Sequence, residues 1–283
     1  MRPTFLLIMM LLLVSCAEQQ STFPDFDDDD IGGVVTSQGG VEGGVWVIAE
    51  TKDLGTRFAR IVVTDSQGRY VVPDLPAAPY EVWVRGYGLI DSRKLPAKPG
   101  SRIDHQVEAA GSEAEAAAVY PAAYWYAMMS LPSATELAEI DGGLNVYLTW
   151  MKNMGCVGCH QMGQYSTRTL PPLLSEVPSE EAWTRRIQSG QAGNNMMRLA
   201  GFLKGLPVKY LADWSDRIAA GESPHTQPQR PQGVERHIVA TVRDWSKPNA
   251  YMHDLSGTDR RDPTVNGFGK LYGAPELSTD EMP

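Results

Sequence analysis

The feature that most constrains this chain is its use of cysteine. The sequence has 283 residues and three cysteines, at positions 16, 156 and 159. Two of them stand close together in the run Cys156-Val157-Gly158-Cys159-His160. A framework of several disulfides is therefore excluded, and the fold must rest on packed apolar cores. The close pair predicts either a thiol redox site or a ligation site.

The first residues have the pattern of an export signal. Arg2 precedes an apolar run from Phe5 to Val14, which is shorter than the about 20 residues of a transmembrane helix. Residues 1–15 are therefore predicted to be a cleaved signal peptide. The order Leu13-Val14-Ser15-Cys16 resembles a bacterial lipoprotein box. The resemblance implies a lipid on Cys16 and an anchor in the cell envelope, facing the periplasm or on the outer membrane. An ordinary cleaved signal is the alternative.

Charge excludes one class of partner. Residues 16–31 are polar and end in four adjacent aspartates, Asp27 to Asp30, so they are predicted to be a flexible acidic tether. The whole chain has a formal net charge of −9. It contains no run of Lys and Arg that would displace counterions from a phosphate backbone. Nucleic acid is therefore not an expected partner.

Residues 32–108 have the pattern of an all-β domain. Short β-branched and aromatic runs, such as Val45-Trp46-Val47-Ile48, are separated by turn-forming residues, such as Asp65-Ser66-Gln67-Gly68. In the run from Tyr80 to Arg85, apolar and polar or charged side chains largely alternate, which is the period of a strand with two different faces. Several short strands at this spacing predict a β-sandwich.

Five stretches of this segment carry a resemblance. They are Gly33-Val34-Val35, Gly44-Val45-Trp46-Val47, the turn and strand of residues 64–70, Leu75-Pro76, and Tyr80-Glu81-Val82. Together they resemble the carboxypeptidase regulatory-like domain. That resemblance implies a prealbumin-like sandwich without catalytic residues, which serves as an accessory and sometimes carbohydrate-binding module. A structural spacer is the alternative.

The next segments read as helical. The Ala-rich residues 109–141 are predicted to be a connector, in which Tyr124-Trp125-Tyr126 packs between domains. Residues 142–222 have helical periodicity. One helix carries Met151 and Met154 as core positions and ends at Gly155. The other two helices start near Ser179, as N-cap, and near Pro207, with Leu211, Trp214 and Ile218 on one face. Residues 223–283 are predicted to be a mostly irregular tail, with one candidate strand from Val234 to Val242.

The CxxCH run is the attachment signature of haem c. Two thiols at this spacing can add across the two vinyl groups of the porphyrin, and His160 then lies under the iron as proximal ligand. A thioredoxin-like pair would need a βαβ context. A zinc site would need a further pair of ligands. Export supplies the compartment in which haem c is attached, so the sequence predicts one covalent haem c on Cys156 and Cys159.

Residues 142–222 resemble the class I cytochrome c family in the order helix, CxxCH, proline loop and methionine loop. The resemblance implies that Pro171 or Pro172 offers a carbonyl to His160, which would orient the ligand. It also implies a distal methionine, and Met196 is the first choice and Met197 the alternative, because the proline that usually follows the ligand is absent. The predicted fold class is an all-β prealbumin-like sandwich followed by an all-α class I cytochrome c module.

Other candidate ligands are weaker. Met162 is close to His160 in sequence, which makes the opposite face of a haem hard to reach. His225, His237 and His253 lie beyond the helical segment and read as surface or packed histidines. No second constellation of catalytic residues occurs. With His and Met as axial ligands, the iron would have no open position, so electron transfer is expected rather than an enzyme activity.

The order of the segments also resembles the front part of longer bacterial proteins that end in a streptogramin-lyase-like β-propeller. Three alternative functions are expected from these features. The first is a membrane-tethered monohaem cytochrome that exchanges electrons with redox partner proteins. The second is the haem subunit or front fragment of a larger periplasmic oxidoreductase, with a dehydrogenase or propeller protein as partner. The third is a carbohydrate- or protein-binding lipoprotein whose haem is mainly structural.

Overall fold

The structure is a computed structural model that describes residues 23–190 and 192–244, together with the backbone of two later strands, 252–256 and 272–275. The predicted signal peptide, Cys16 and the first part of the predicted tether lie outside the described residues. Within the described ranges, no helix combines the length and the hydropathy that crossing a bilayer requires.

The chain forms short strands first and short helices next, and then returns to strands. The strands are β1 (Ile31–Ser37), β2 (Gly40–Val41), β3 (Trp46–Thr51), β4 (Phe58–Val63), β5 (Arg69–Val72), β6 (Tyr80–Arg85), β7 (Leu95–Ala97), β8 (Ser101–Arg102), β9 (His105–Gln106), β10 (Ala240–Arg243), β11 (Met252–Ser256) and β12 (Tyr272–Pro275). The α-helices are α1 (Glu113–Ala117), α2 (Ala122–Tyr126), α3 (Ala134–Leu137), α4 (Gly143–Thr149), α5 (Cys156–Cys159), α6 (Tyr165–Arg168), α7 (Ser179–Gln188), α8 (Gly193–Phe202) and α9 (Leu206–Ala219). A π-helix spans Trp150–Met154, and 3-10 turns span Pro172–Leu174 and Gly233–His237.

The strands form two five-stranded sheets and one separate pair. In the first sheet, β1 is central, pairing antiparallel with β2 and β5 and parallel with β8 and β9. The second sheet has the order β10-β4-β3-β6-β7 and is antiparallel throughout. The pair is β11 with β12. The runs predicted as strands around Val34, Val47, Ile61, Val71 and Val82 each lie in a strand.

The two large sheets share one apolar core. Ile31 and Val72 of the first sheet belong to the same buried cluster as Val47 and Val82 of the second sheet. In β6 the residues at every second position from Tyr80 are buried, as the alternation in the sequence predicts. The sheets therefore pack face to face, with the core between them.

The segment that follows α9 returns to the second sheet. β10 pairs with β4, and Ala240 lies opposite Ile61 while Arg243 lies opposite Phe58. Residues that follow all the helices thus complete a sheet that begins before them. The candidate strand from Val234 to Val242 is in fact a 3-10 turn followed by this shorter strand.

Aromatic rings join the sheets to the helices. Trp46 contacts Tyr87 in an edge arrangement with 4.9 Å between ring centroids. Tyr87 contacts Tyr120 at 5.8 Å, and Tyr120 contacts Tyr124 at 6.2 Å. Tyr87 and Trp125 are both buried in a second apolar cluster, which is made mainly by the helices and is here called the helical cluster. The stretch Tyr124-Trp125-Tyr126 therefore lies between the β-sheets and the helices.

These connections make the predicted fold class wrong. An all-β prealbumin-like sandwich followed by an all-α class I cytochrome c module would keep strands and helices in separate segments. The structure is instead mixed, with about 34% helix, 20% strand and several short helices. The physical reason is that β10 adds to the second sheet from beyond the helices, and that Tyr87 is buried in the helical cluster rather than in the core of the sheets.

The helix before Cys156 ends in a π-turn. The amide of Gly155 donates a hydrogen bond to the carbonyl of Trp150, five residues back, over 2.9 Å. The extra residue per turn rotates the last side chains away from the α-helical face. Met151 is 2% exposed, whereas Met154 is 64% exposed. The prediction of a core position is therefore confirmed for Met151 and wrong for Met154, while Gly155 does end this helix.

The two later helices differ in how well their starts were predicted. Ser179 is not an N-cap, because α7 begins at Ser179 itself and its hydroxyl donates a 2.6 Å hydrogen bond to Asp216. In α9, Pro207 lies in the first turn. Leu211 and Trp214 are buried on one face of α9, as the periodicity predicted.

Candidate functional site

A cavity of about 720 Å³ lies between the CxxCH turn and the helices α7, α8 and α9. Cys156, Cys159 and His160 line it on one side, and Met196 lines it from α8. The cavity volume falls within the range of cofactor sites, about 300–1,000 Å³. Four of the residues that the sequence singled out for one ligand therefore meet at one cavity.

The rest of the wall is largely apolar, with a few polar groups. The larger apolar side chains are Trp150, Met162, Trp183, Ile187, Leu199, Phe202, Pro207 and Leu211. The polar ones are Ser166, Thr167, Arg186, Asn195 and Arg198. Such a lining suits a flat, mostly apolar ligand that carries a small number of charged groups.

A single helical turn presents the two thiols. Cys156 and Cys159 begin and end α5, and residues three apart on a helix lie on the same face. Both thiols are free. The sulfur of Cys156 lies 3.9 Å from the sulfur of Met151, which places it against the core of the preceding helix. The turn therefore holds two thiols and an imidazole within five residues.

Glycine is required just before this turn. A Cβ atom on Gly155 would lie 2.3 Å from the carbonyl oxygen of Trp150 and 2.8 Å from Leu199. A Cβ atom on Gly158 would meet no protein atom within 4 Å. The close approach of the π-turn to α8 therefore depends on Gly155, whereas the protein itself leaves room beside Gly158.

The thiol chemistry argues against a thioredoxin-like role. Burial raises the pKa of the Cys156 thiol, and the nearby Cys159 raises it further. Thiol–disulfide oxidoreductases need the opposite, a lowered pKa that keeps the attacking sulfur ionised. The flanking segments are helices and loops rather than a βαβ unit. The geometry thus favours ligation over thiol exchange.

The two candidate distal methionines differ in position. Met196 lines the cavity, and its methyl group lies 3.1 Å from where a Cβ atom on Gly190 would stand. Met197 is half-buried but does not line the cavity. Gly193 lets α8 begin close to the end of α7, since a Cβ atom there would lie 2.6 Å from the carbonyl oxygen of Gln188. The geometry therefore ranks Met196 above Met197.

The two prolines lie away from the cavity. Pro171 and Pro172 flank the start of a 3-10 turn, and neither lines the cavity wall. The carbonyl of Pro171 accepts a hydrogen bond from the amide of Leu174, and that of Pro172 accepts one from Ser175. Among the hydrogen bonds of the described residues, neither carbonyl receives one from His160. This arrangement does not bring the expected orienting group to the ligand.

Among the other candidate ligands whose side chains the structure describes, only Met162 reaches the cavity. His225 is exposed and lies near Glu222, and His237 is exposed in the turn before β10. The side chain of His253 lies outside the described residues. Met162, by contrast, lines the cavity and is buried, although its closeness to His160 in sequence argued against it.

Sequence reasoning missed several residues of the wall. Trp150, Leu199, Phe202 and Arg186 all line the cavity, and none of them belongs to a local motif. A signal existed only for Arg186, which stands three residues after Trp183 and thus on the same face of α7. The others come together through the π-turn and the packing of α8.

Comparisons with known proteins add little to this geometry. No protein-family model matches the chain, and no curated protein matches it. A solved structure, the Bacillus anthracis TIE protein, is similar over 29% of this chain and 16% of that chain, with 16% sequence identity and a TM-score of 0.23. A likeness this short and weak carries no argument about fold or function.

Proposed function

We propose that this chain is an electron-transfer protein of the bacterial cell envelope, which carries one covalent haem c and is tethered by a lipid on Cys16. One observation carries the proposal. The cavity unites the CxxCH turn with Met196, a residue that lies far along the chain on another helix.

The residues of the cavity fit such a group. Two free thiols on one helical turn are available for the two thioether bonds. His160 supplies an imidazole beside them, and Met196 supplies a thioether sulfur from α8. The mainly apolar wall suits a porphyrin ring, and Arg186 and Arg198 stand among the polar groups of the wall.

Bound there, the haem would supply a one-electron couple between its ferrous and ferric states. The protein's part would be to hold the iron and to exclude water from the ring. His160 and Met196 are the residues that would hold the iron. A His/Met pair raises the reduction potential and leaves no position open for a substrate. The site therefore supports electron exchange with redox partner proteins of the envelope rather than turnover of a substrate.

The test is to produce the full chain in a bacterial host that carries the haem c maturation machinery. The purified protein should keep its haem after denaturation and show a sharp reduced α band. Replacing both Cys156 and Cys159 by alanine should abolish the retained haem. Replacing Cys16 by alanine is the matched control, which should keep the haem and lose the lipid. A wild-type chain whose mass shows no added haem would refute the proposal.

A further inference from the structure

Arg186 is a cation of the cavity wall whose side chain the protein holds in place. It lies on α7, and its guanidinium donates hydrogen bonds from its two terminal nitrogens to the carbonyls of Thr169 and Ser166. The same group lies over the ring of Trp183, with 5.0 Å from the guanidinium carbon to the ring centroid. The charge is therefore fixed at the wall rather than free in solvent.

This charge has no acidic partner. Among the residues that the structure describes, no carboxylate oxygen lies within 4 Å of the Arg186 guanidinium. Its neighbour Arg185, by contrast, forms an ion pair with Glu181. Burial lowers the pKa of Arg186, and no neighbouring acid offsets this effect. A partly buried cation without a counter-charge costs free energy, so its presence at a cavity indicates an anionic ligand.

Arg186 also has donors to spare. A guanidinium carries five N–H groups, and two of them are used by Thr169 and Ser166, so three remain. A carboxylate can accept two parallel hydrogen bonds from such a group. The other cation of the wall, Arg198, is exposed and bonded to the Asn195 side chain, so it is less desolvated.

We infer that Arg186 is the carboxylate-binding residue of this cavity and pairs with a propionate group of the porphyrin. The inference rests on the proposed function. A porphyrin attached through its vinyl groups to Cys156 and Cys159 carries its propionates on another edge, and these groups need a cationic partner inside an apolar wall. The pair would fix the orientation of the ring and hold positive charge beside it. That charge disfavours the ferric state and so keeps the reduction potential high.

The inference is tested on the haem-loaded full chain with four variants. Arg186→Gln removes the charge, Arg186→Lys keeps the charge but not the planar donor pair, and Arg198→Gln removes the other cation of the wall. Arg185→Gln is the matched control, since it changes the neighbouring, exposed and ion-paired arginine. Haem content, the thermal unfolding midpoint, the reduction potential and the propionate bending band in the resonance Raman spectrum are recorded for each.

We expect Arg186→Gln to keep its haem and to lower the equilibrium constant for reduction about tenfold, which is about 59 mV for a one-electron couple. Its propionate band should shift. Arg186→Lys should recover part of the potential but not the band, and Arg185→Gln should match the wild type. If Arg186→Gln does not fold, the propionate band of Arg186→Lys tests the inference by itself, because this variant keeps the charge and loses the planar donor pair.

Three outcomes overturn the inference. An unchanged potential and band in Arg186→Gln show that this residue does not bind the propionate. A lower potential and a shifted propionate band in Arg198→Gln, without these changes in Arg186→Gln, show that Arg198 binds the propionate. The haem content of the wild type is read first, because its absence refutes the proposed function itself and removes the ligand from Arg186.

Discussion

Arg230 forms an ion pair with Glu42, although 188 residues of sequence separate them. Both side chains are largely buried, at 27% and 12% exposure. The same guanidinium donates a 3.0 Å hydrogen bond to the carbonyl of Tyr87. One arginine thus joins the segment between α9 and β10 to the two loops that follow β2 and β6.

Replacing Arg230 by alanine should loosen this segment. The carboxylate of Glu42 and the carbonyl of Tyr87 would lose their shared donor, so we expect the free energy of unfolding to fall by about 1–3 kcal/mol. Hydrogen exchange should become faster at the amides of β10 and β4. The control is Arg93→Ala, an exposed arginine whose side chain forms no ion pair or hydrogen bond among the described residues. Equal stability and exchange in both variants would show that the pair does not fasten the segment.

The strands of residues 32–108 could be predicted, whereas the pairing of β10 with the second sheet could not, for a physical reason. In β6 every second side chain enters the core, so the sequence itself carries the period. All four residues of β10 are exposed. Backbone hydrogen bonds to β4 hold β10, together with one from the Arg60 side chain to the Thr241 hydroxyl, and neither of these leaves a periodic pattern in the side chains. The predicted fold class is wrong for this reason, because it did not include the return of the chain to the second sheet.

The candidate site also contains residues that the sequence predicts and residues whose place depends on packing. Cys156, Cys159 and His160 are adjacent in sequence, so the motif could be predicted from sequence alone. Met196 could be proposed only by resemblance, and its place on the cavity wall comes from the packing of α8 on α7. The exposure of Met154 could not be foreseen, because it follows from a π-turn that no residue type requires.

The neighbouring methionines of α8 offer a matched pair of variants. Met196 lines the cavity and Met197 does not. In the haem-loaded protein, Met196→Ala should therefore abolish the weak far-red band of a methionine–iron bond. Loss of this ligand should also lower the equilibrium constant for reduction by more than about tenfold, or about 59 mV. Met197→Ala should keep both properties.

Absorption spectra and potentiometric titration of the two variants show whether Met196 or Met197 is the distal ligand. The reverse result, with the band lost only in Met197→Ala, would assign the distal position to Met197. A band retained in both single variants would instead direct attention to Met162, the other methionine of the cavity wall.

The two glycines beside the first cysteine should respond differently to alanine. At Gly155 a methyl group would collide with the backbone of Trp150, and overpacking of this kind costs about 1–3 kcal/mol. At Gly158 the methyl group would meet no protein atom, so the stability should stay within about 0.5 kcal/mol of the wild type. Urea unfolding of the two haem-free variants measures this difference.

The Gly155→Ala and Gly158→Ala variants also test whether a porphyrin is bound. If a porphyrin lies against the backbone at Gly158, the Gly158→Ala chain should fold normally but retain less covalent haem than the wild type. Equal loss of stability in both variants would contradict the described packing of the π-turn against α8.

Glu136 should govern part of the stability in acid. Its carboxylate forms an ion pair with Lys209 of α9 over 2.5 Å, and it accepts hydrogen bonds from Ser133 and from the hydroxyl of Tyr210. These contacts, led by Lys209, lower the pKa of Glu136 from an ordinary value of 4.5 to about 2. The carboxylate therefore links the capping box of α3 to α9 in its ionised form.

Because the folded pKa lies below the unfolded one, the stabilisation by Glu136 is fully present above about pH 4.5 and is lost as the pH falls towards 2. Glu136→Gln should therefore lower the unfolding midpoint at pH 6, and its difference from the wild type should shrink steadily between pH 4.5 and pH 2. Glu139→Gln is the control, since this exposed neighbour forms no ion pair or side-chain hydrogen bond among the described residues. A difference between wild type and Glu136→Gln that stays constant across this range would mean that the charge of Glu136 does not join α3 to α9.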